Sequence, residues 1–340
     1  KKSIVKAHAP APFTTSSLQQ DASNKLGFTS PETMMLAQHL YEGIDTENGD
    51  HIAFITYMRT DSVRVSKEAQ AKALERIRKV YGDDYAPEKP NYYASKKGAQ
   101  DAHEAIRPID LEMTPEKAKK LLDKKHFALY KLVYERFLAS QMAEAKYNSM
   151  QMEIDNSGYI FKASGRVMLF AGFTAVYQDM SVKKEDEDEI SLAKLLPDLN
   201  EGDELNLISM QKEQKFTKPP LRYTDASLVK TMEEKGIGRP STYATIISKL
   251  MQKYVKKDGK YMYPAPIAYN VVDMLVSCFV DIMDVGFTAG MENKLDDIEE
   301  GGVDWRSVIG DFYPSFEKNL RAASSYGDEL TQEVCGKCGH

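Results

Sequence analysis

Cysteine is scarce in this chain, with three in 340 residues. That is too few for a disulfide framework, and it predicts an intracellular protein. No run of roughly 18 uncharged apolar residues occurs, so the sequence offers no membrane span. The opening Lys1-Lys2-Ser3-Ile4-Val5-Lys6 lacks the apolar core of a signal peptide. There is no solenoid-type repeat. There is also no Walker A loop and no dinucleotide-binding glycine fingerprint. Positive charge is not in excess either: 45 Lys and Arg against 51 Asp and Glu leave a formal charge of −6. Taken alone, that balance argues against a nucleic-acid binder, which usually shows a basic patch.

The charge is nevertheless segregated. Gln211 to Lys260 holds twelve Lys and Arg against five acids, and Asp281 to Asp304 holds eight acids against one Lys. Separated charge steers a polyanion more effectively than the total suggests. The length and the 42% hydrophobic content predict two or three domains with sizeable cores.

Ala9-Pro10-Ala11-Pro12 makes the first 16 residues an extended lead-in, because proline cannot sit inside a helix. Ser16 or Ser17 then caps a helix to Lys25. Ser30-Pro31-Glu32 opens another to about Tyr41, with Met35, Ala37, Leu40 and Tyr41 available for burial. Ile52 to Met58 is a β-prone run after the turn-rich Glu47-Asn48-Gly49-Asp50. Ser66 caps a helix to Val80, buried through Ala69, Ala73, Ile77 and Val80. Thr114-Pro115-Glu116 starts a further helix, and Phe127 to Ala145 reads as a long one. From Tyr147 to about Met210 apolar and polar residues alternate between glycines, as in strands, with one more strand after Glu201-Gly202-Asp203. The acidic run from Lys183 to Glu189 reads as a solvated loop. Thr224-Asp225 and Ser241 open helices to Lys235 and Lys253, and Lys257-Asp258-Gly259-Lys260 turns a hairpin. Helix, helix and hairpin form a winged-helix pattern, a common DNA-docking arrangement. A long helix from Ala268 to Met283 follows, with Cys278 on its apolar stripe.

Four groups of residues could carry chemistry. In Thr56-Tyr57-Met58-Arg59-Thr60-Asp61-Ser62, extended chain turns Tyr57 and Arg59 to one face. A cation beside a phenol favours the phenolate, and a guanidinium fork can hold two phosphate oxygens. Tyr57 could equally be a packing residue at a strand end. In Asp101-Ala102-His103-Glu104-Ala105-Ile106-Arg107-Pro108, His103 and Arg107 share a face of a helix. They could serve a phosphate or simply decorate a capped helix. Lys235-Gly236-Ile237-Gly238-Arg239-Pro240-Ser241-Thr242-Tyr243 lets backbone approach a ligand closely, with a helix N-terminus for phosphate and Tyr243 for base stacking. A C-cap glycine and turn would look the same, but Lys215, Lys218 and Arg222 upstream favour binding. Finally, Cys335 and Cys338 make half of a zinc knuckle, with His340 a poor third ligand.

Together these motifs resemble the type IA DNA topoisomerases, with the bacterial topoisomerase I branch nearest. The likeness runs in order through Pro12-Phe13-Thr14-Thr15, Leu18-Gln19-Gln20, Tyr57 to Ser62, Asp101 to Pro108, Arg222, Gly236 to Tyr243, Phe287-Thr288-Ala289 and Met291-Glu292. The resemblance implies a multidomain α+β fold, part of a toroid, in which helical winged-helix-like modules are joined by an antiparallel β arch. It implies a lead-in strand over 1–16, a tyrosine domain over 17–143, an arch over 144–214, a single-strand-binding domain over 215–328, and the start of a zinc ribbon over 329–340. It also implies that Tyr57 attacks one DNA strand to give a 5′-phosphotyrosyl bond and a free 3′-OH, with Arg59 on the scissile phosphate. Strand passage and religation then relax negative supercoils without ATP. Thr60, Asp61, His103, Arg107, Arg222, Lys235, Arg239, Ser241, Thr242 and Tyr243 would contact DNA. Magnesium would belong to a toprim domain that this chain does not show, and zinc to ribbons beginning at Cys335 and Cys338. Without the toprim acids the chain would not relax DNA alone. The expected partners are single-stranded and negatively supercoiled DNA, bound by a cytoplasmic, nucleoid-associated monomer with no membrane contact. A non-enzymatic winged-helix DNA-binding protein would leave Tyr57 idle. Topoisomerase III and reverse gyrase share the tyrosine motif, but Met58, where topoisomerase III typically has Pro, favours topoisomerase I.

Overall fold

The computed structural model describes residues 2–45, 49–94, 103–178 and 199–330, with side chains to residue 324. Asp101, Ala102, the acidic run from Lys183 to Glu189, and the cysteines at 335 and 338 lie outside the described residues. Within them the fold is α+β with antiparallel sheets.

The lead-in forms strand β1 (Lys2–Ala7), which pairs antiparallel with β4 (Ala145–Asn156). Strand β4 in turn pairs with β5 (Tyr159–Phe170). Ser157 and Gly158 join the two with φ of 55° and 85°. A two-residue turn with both central residues left-handed matches the twist of its strands. The two short strands expected within 159–170 are one continuous strand. The strand expected directly after Asp203 is absent, and residues 204–224 form no regular element.

Between β1 and β4 lies the larger core. Thr14 caps α1 (Thr15–Asp21), which runs on through a π-helical turn to Leu26. The cap therefore sits earlier than Ser16. Helix α2 (Ser30–Glu42) is capped by Thr29, one residue before the serine expected to do so. Ala37 and Leu40 are buried, but Met35 and Tyr41 point outward. The short β2 (Ile44–Asp45) and β3 (His51–Ile52) form a small hairpin. Ser66 caps α3 (Lys67–Tyr81), which buries Ala69, Ala73 and Ile77 and leaves Val80 exposed. Helix α4 (Pro115–Ala118) is a single turn, and α5 (Lys124–Ser140) ends before Ala145, which already belongs to β4. Phe13, Leu18, Leu40, Tyr130 and Phe137 close this core. Each such side chain contributes roughly 1.5–3 kcal/mol by leaving water.

A second, smaller core holds Val229, Met232, Tyr243, Ile247 and Met262. It belongs to α6 (Asp225–Glu234), α7 (Tyr243–Lys253) and the hairpin of β6 (Val255–Asp258) and β7 (Tyr261–Pro264). The winged-helix order of elements is present. Helix α6 packs on α1, and α7 packs on α2. Asp225, buried at the start of α6, is held by Lys257 of β6. The expected helix from Ala268 to Met283 is broken at Phe279, where φ is −132° and ψ 51°, into α8 (Pro266–Cys278) and α9 (Val280–Met283). Cys278 is only half-buried. Helices α10 (Val285–Glu299) and α11 (Trp305–Leu330) follow. Among the described residues no helix is long and apolar enough to cross a membrane.

Candidate functional site

Tyr57 does not end a regular strand. It sits in a bent segment pinned by backbone partners from far away in sequence. Phe54 N–H donates to Leu40 O at 2.7 Å, Thr56 N–H to Arg107 O at 2.9 Å, and Ile55 bridges to Pro108. On the other side, Thr15 controls the loop. Its buried hydroxyl donates to Met58 O at 2.7 Å and to Thr60 O at 3.1 Å, and accepts the Thr60 N–H at 2.8 Å. One side chain at the start of α1 thus satisfies three backbone groups of the bend, which would be costly to bury unpaired. Met58 is fully buried between half-buried Tyr57 and exposed Arg59.

Two rings flank the Tyr57 phenol. Tyr41 packs edge-on at 5.3 Å between centroids, and His103 lies at 5.6 Å. Among the described residues Arg59 makes no ion pair and donates no hydrogen bond from its side chain, so its guanidinium stands open to an incoming anion.

The segment from His103 to Arg107 is not helical. Ile106 N–H donates to Phe13 O and Ala105 N–H to Arg64 O, both at 2.8 Å, so the chain is drawn out beside Phe13 and Thr56. His103 meets Tyr57, whereas Arg107 is occupied by Glu104 at 2.7 Å. Arg107 lines a cavity of about 450 Å³ shared with Lys72, Arg76 and Asp110. Neither Tyr57 nor His103 lines that cavity, so the two residues expected to act together serve different faces.

The glycine loop follows α6. Gly236 and Gly238 have φ of 70° and 77°, conformations that favour glycine. A Cβ at Gly238 would come within 3.1 to 3.3 Å of Thr242, Tyr243 and Ile246. Ser241 and Thr242 lie before the first turn of α7, and Thr242 Oγ1 accepts the Arg239 N–H at 2.8 Å. Arg239 is not free. It donates to Asp296 Oδ2 of α10 at 2.6 Å, and to the carbonyls of Gly238 at 3.0 Å and Gly236 at 3.4 Å. The Asp296 hydrogen bond also raises the Arg239 pKa above its usual value.

Tyr243 does not offer a stacking face, because its ring is buried in the second core. Burial pushes its phenol up to about 12, with Glu233 adding to the shift and Asp61 among the smaller contributors. The Asp61 carboxylate of the Tyr57 loop is thus near enough to the start of α7 to disfavour the charged Tyr243 phenolate. Thr60 is buried too, and its hydroxyl accepts the Ser62 N–H at 3.0 Å, so it supports the loop rather than facing outward. Arg222, Lys235 and Ser241 are exposed, and the Arg222 guanidinium lies 4.2 Å over the Tyr263 ring.

A family model described as DNA topoisomerase matches residues 1–310. The chain belongs to the DNA topoisomerase family. It is 45% identical to a DNA topoisomerase 1 of Fervidobacterium islandicum over 97% of this chain and 48% of that protein. It is 46% identical to a DNA topoisomerase 1 of Treponema pallidum over 96% of this chain and 45% of that one. Full-length topoisomerase I from Thermotoga maritima superposes with a TM-score of 0.76 at 39% identity, covering 94% of this chain and 51% of that one. The likeness is to the bacterial type IA branch. The chain spans about half the length of the curated relatives it matches.

Three features of this topoisomerase chain escaped the sequence reading. Thr15 was visible only as part of a motif, with no hint that its hydroxyl holds the Tyr57 bend. Tyr41 reads as a buried helix residue, yet it packs on Tyr57 from the rim of α2. Asp296 lies in the acidic stretch, whose charge alone hinted that it would meet the basic one.

Proposed function

We propose that the chain supplies the nucleophile and strand-binding groups of a type IA topoisomerase acting on single-stranded and negatively supercoiled DNA. The Tyr57 phenol oxygen attacks a backbone phosphorus. The P–O bond to the 3′ oxygen breaks, the phenol proton leaves, and the 3′ oxygen takes up a proton as a hydroxyl. The new phosphotyrosyl ester keeps the free energy of the broken one, so religation after strand passage needs no ATP. Arg59 holds the scissile phosphate and offsets the charge that builds on its oxygens. His103 contacts the strand beside Tyr57. Lys235, Arg222 and Ser241 guide it, while Arg239 joins only by exchanging Asp296 for phosphate. Asp61 lies at the junction of the two loops. Arg107, Thr60, Thr242 and Tyr243 support the site from within.

In this reading residues 17–143 form the tyrosine domain, 144–214 with 1–16 the arch, and 215–328 the strand-binding domain, in a cytoplasmic monomer. Residues 329–340 begin a zinc ribbon. Members of the family depend on magnesium. Among the described residues no three His, Cys, Asp or Glu side chains gather to hold a metal, so the residues present do not make that site. No step here passes through it, and plasmid relaxation requires the segments that the relatives have beyond this match.

The carrying observation is the half-exposed Tyr57 phenol between Tyr41 and His103, on a loop whose Arg59 has no partner among the described residues. The test is covalent capture of a single-stranded oligonucleotide by a chain extended to its relatives' length. Wild type should yield a 5′-linked adduct and Tyr57→Phe none, with non-covalent binding kept. An adduct retained by Tyr57→Phe removes Tyr57 from the role.

A further inference from the structure

His51 lies between two groups that can only accept a hydrogen bond. Its Nδ1 is 2.7 Å from Asp45 Oδ1, directly across the β2–β3 pair, and its Nε2 is 2.9 Å from the backbone oxygen of Glu42. Glu42 ends α2, so that oxygen is one of the carbonyls a helix terminus leaves unsatisfied. A neutral imidazole carries one N–H and serves one of the two acceptors. Only the imidazolium donates to both. The backbone also makes room for the ring: Gly43 has φ of 110°, and a Cβ there would come within 2.4 Å of Nε2. The hydrogen bond to Asp45, followed by that to the Glu42 carbonyl, raises the His51 pKa above its ordinary 6.5. The charge acting on the ring is that of Asp45, from β2. The Glu42 carboxylate, from α2, accepts from Gln38 instead.

The hairpin that His51 closes is only two residue pairs long, Ile44 with Ile52 and Asp45 with His51. Such a pairing is too short to hold by itself. It joins the end of α2 to the Tyr57 segment. Leu40 O, in the last turn of α2, accepts the Phe54 N–H at 2.7 Å and the Ile55 N–H at 3.4 Å. Tyr41, between Leu40 and Glu42, rests edge-on against Tyr57. We propose that His51, as an imidazolium, is a positioning residue that clips the end of α2 to the β2–β3 hairpin and so holds Tyr41 against the Tyr57 phenol. Its effect on cleavage rests on Tyr57 as the nucleophile; the clip itself does not. The clip is complete below the ordinary histidine value and is lost as pH rises through the raised one. The remaining proton then stays on Nδ1 with Asp45, and the Glu42 carbonyl loses its donor.

Ring signals of the full chain, followed by NMR against pH, test the clip. His51, identified by its loss in His51→Gln, should titrate above 6.5 with both ring nitrogens protonated at the acid end, and Asp45→Asn should lower its midpoint. Tyr57 signals, identified through Tyr57→Phe, should shift with the His51 midpoint and no longer do so in His51→Gln. His51 is exposed, so His51→Gln should fold like the parent. Single-turnover cleavage of a single-stranded oligonucleotide by the chain extended to its relatives' length tests the positioning. Wild type should exceed His51→Gln about two- to fivefold on the acid side, the scale of one exposed charged contact, and match it above the His51 titration. The ratio cancels the titrations of His103 and of the Tyr57 phenol. A His51 midpoint at or below 6.5 overturns the clip, and a ratio that does not change with pH overturns the positioning role. If Tyr57→Phe still forms the adduct, the nucleophile assignment is what fails, and the ring titrations still decide the clip.

Discussion

Arg59 and Arg239 bring the same charge on two neighbouring loops, yet the fold treats them in opposite ways. Arg59 projects from a bend whose flanking Met58 and Thr60 backbone groups are held by Thr15, and no other described side chain occupies its guanidinium. Arg239 sits in a glycine loop and spends its fork on Asp296 and on the carbonyls of Gly236 and Gly238. A cation without a partner meets a phosphate at full strength. One that must first release a carboxylate gains only the difference between two anions. A rigid backbone with a free head suits chemistry at one phosphate. A held head on a permissive loop suits adjustable binding along a strand.

The sharpest way to break that contrast is to remove each charge in turn. In the chain extended to its relatives' length, Arg59→Ala should slow oligonucleotide cleavage by roughly 10²–10³-fold, the scale of one lost transition-state donor, while the melting temperature holds. A loss of less than about tenfold would place Arg59 among ordinary contacts. Next, Thr15→Val should lower stability by about 1–3 kcal/mol in urea titration, because it strands the buried Thr60 N–H. Cleavage should fall with it, and stability unchanged would mean that the bend holds its own shape. Asp296→Ala should tighten single-strand binding about three- to tenfold by fluorescence anisotropy, since it frees Arg239 and removes a like charge from the phosphate's path. Weaker binding would instead make Asp296 a positioning residue. Smallest of all, Lys235→Ala should lower the slope of log affinity against log salt by about 0.7, the share of one phosphate contact on a single strand.

Local signals were readable wherever local physics decides the outcome. Thr114, Ser66 and Thr224 each cap their helices as their spacing suggests, because a side-chain oxygen and an N–H three residues on need nothing from elsewhere. The Gly259 turn formed for the same reason. The stripe of Tyr243 and Ile247, four apart on α7, already pointed Tyr243 inward, and reading its ring as a stacking face overlooked that periodicity. Residues 103–107 misled for a different reason. Their spacing suits a helix, but Phe13 and Thr56 offer backbone partners that no local window contains, and the chain takes those instead.

By itself the sequence settled which residue types stand ready and in what order: a tyrosine, a methionine and an arginine in one run, glycines before a helix, and opposite charges in separate stretches. It also settled most helix starts, since capping acts over three residues. Only the tertiary structure decided which charged groups stay open and which are paired. Arg59, Arg107 and Arg239 are alike as letters, and their availability depends on whether a carboxylate lies within reach after folding. Glu104 reaches Arg107 and Asp296 reaches Arg239, while no described carboxylate pairs with Arg59.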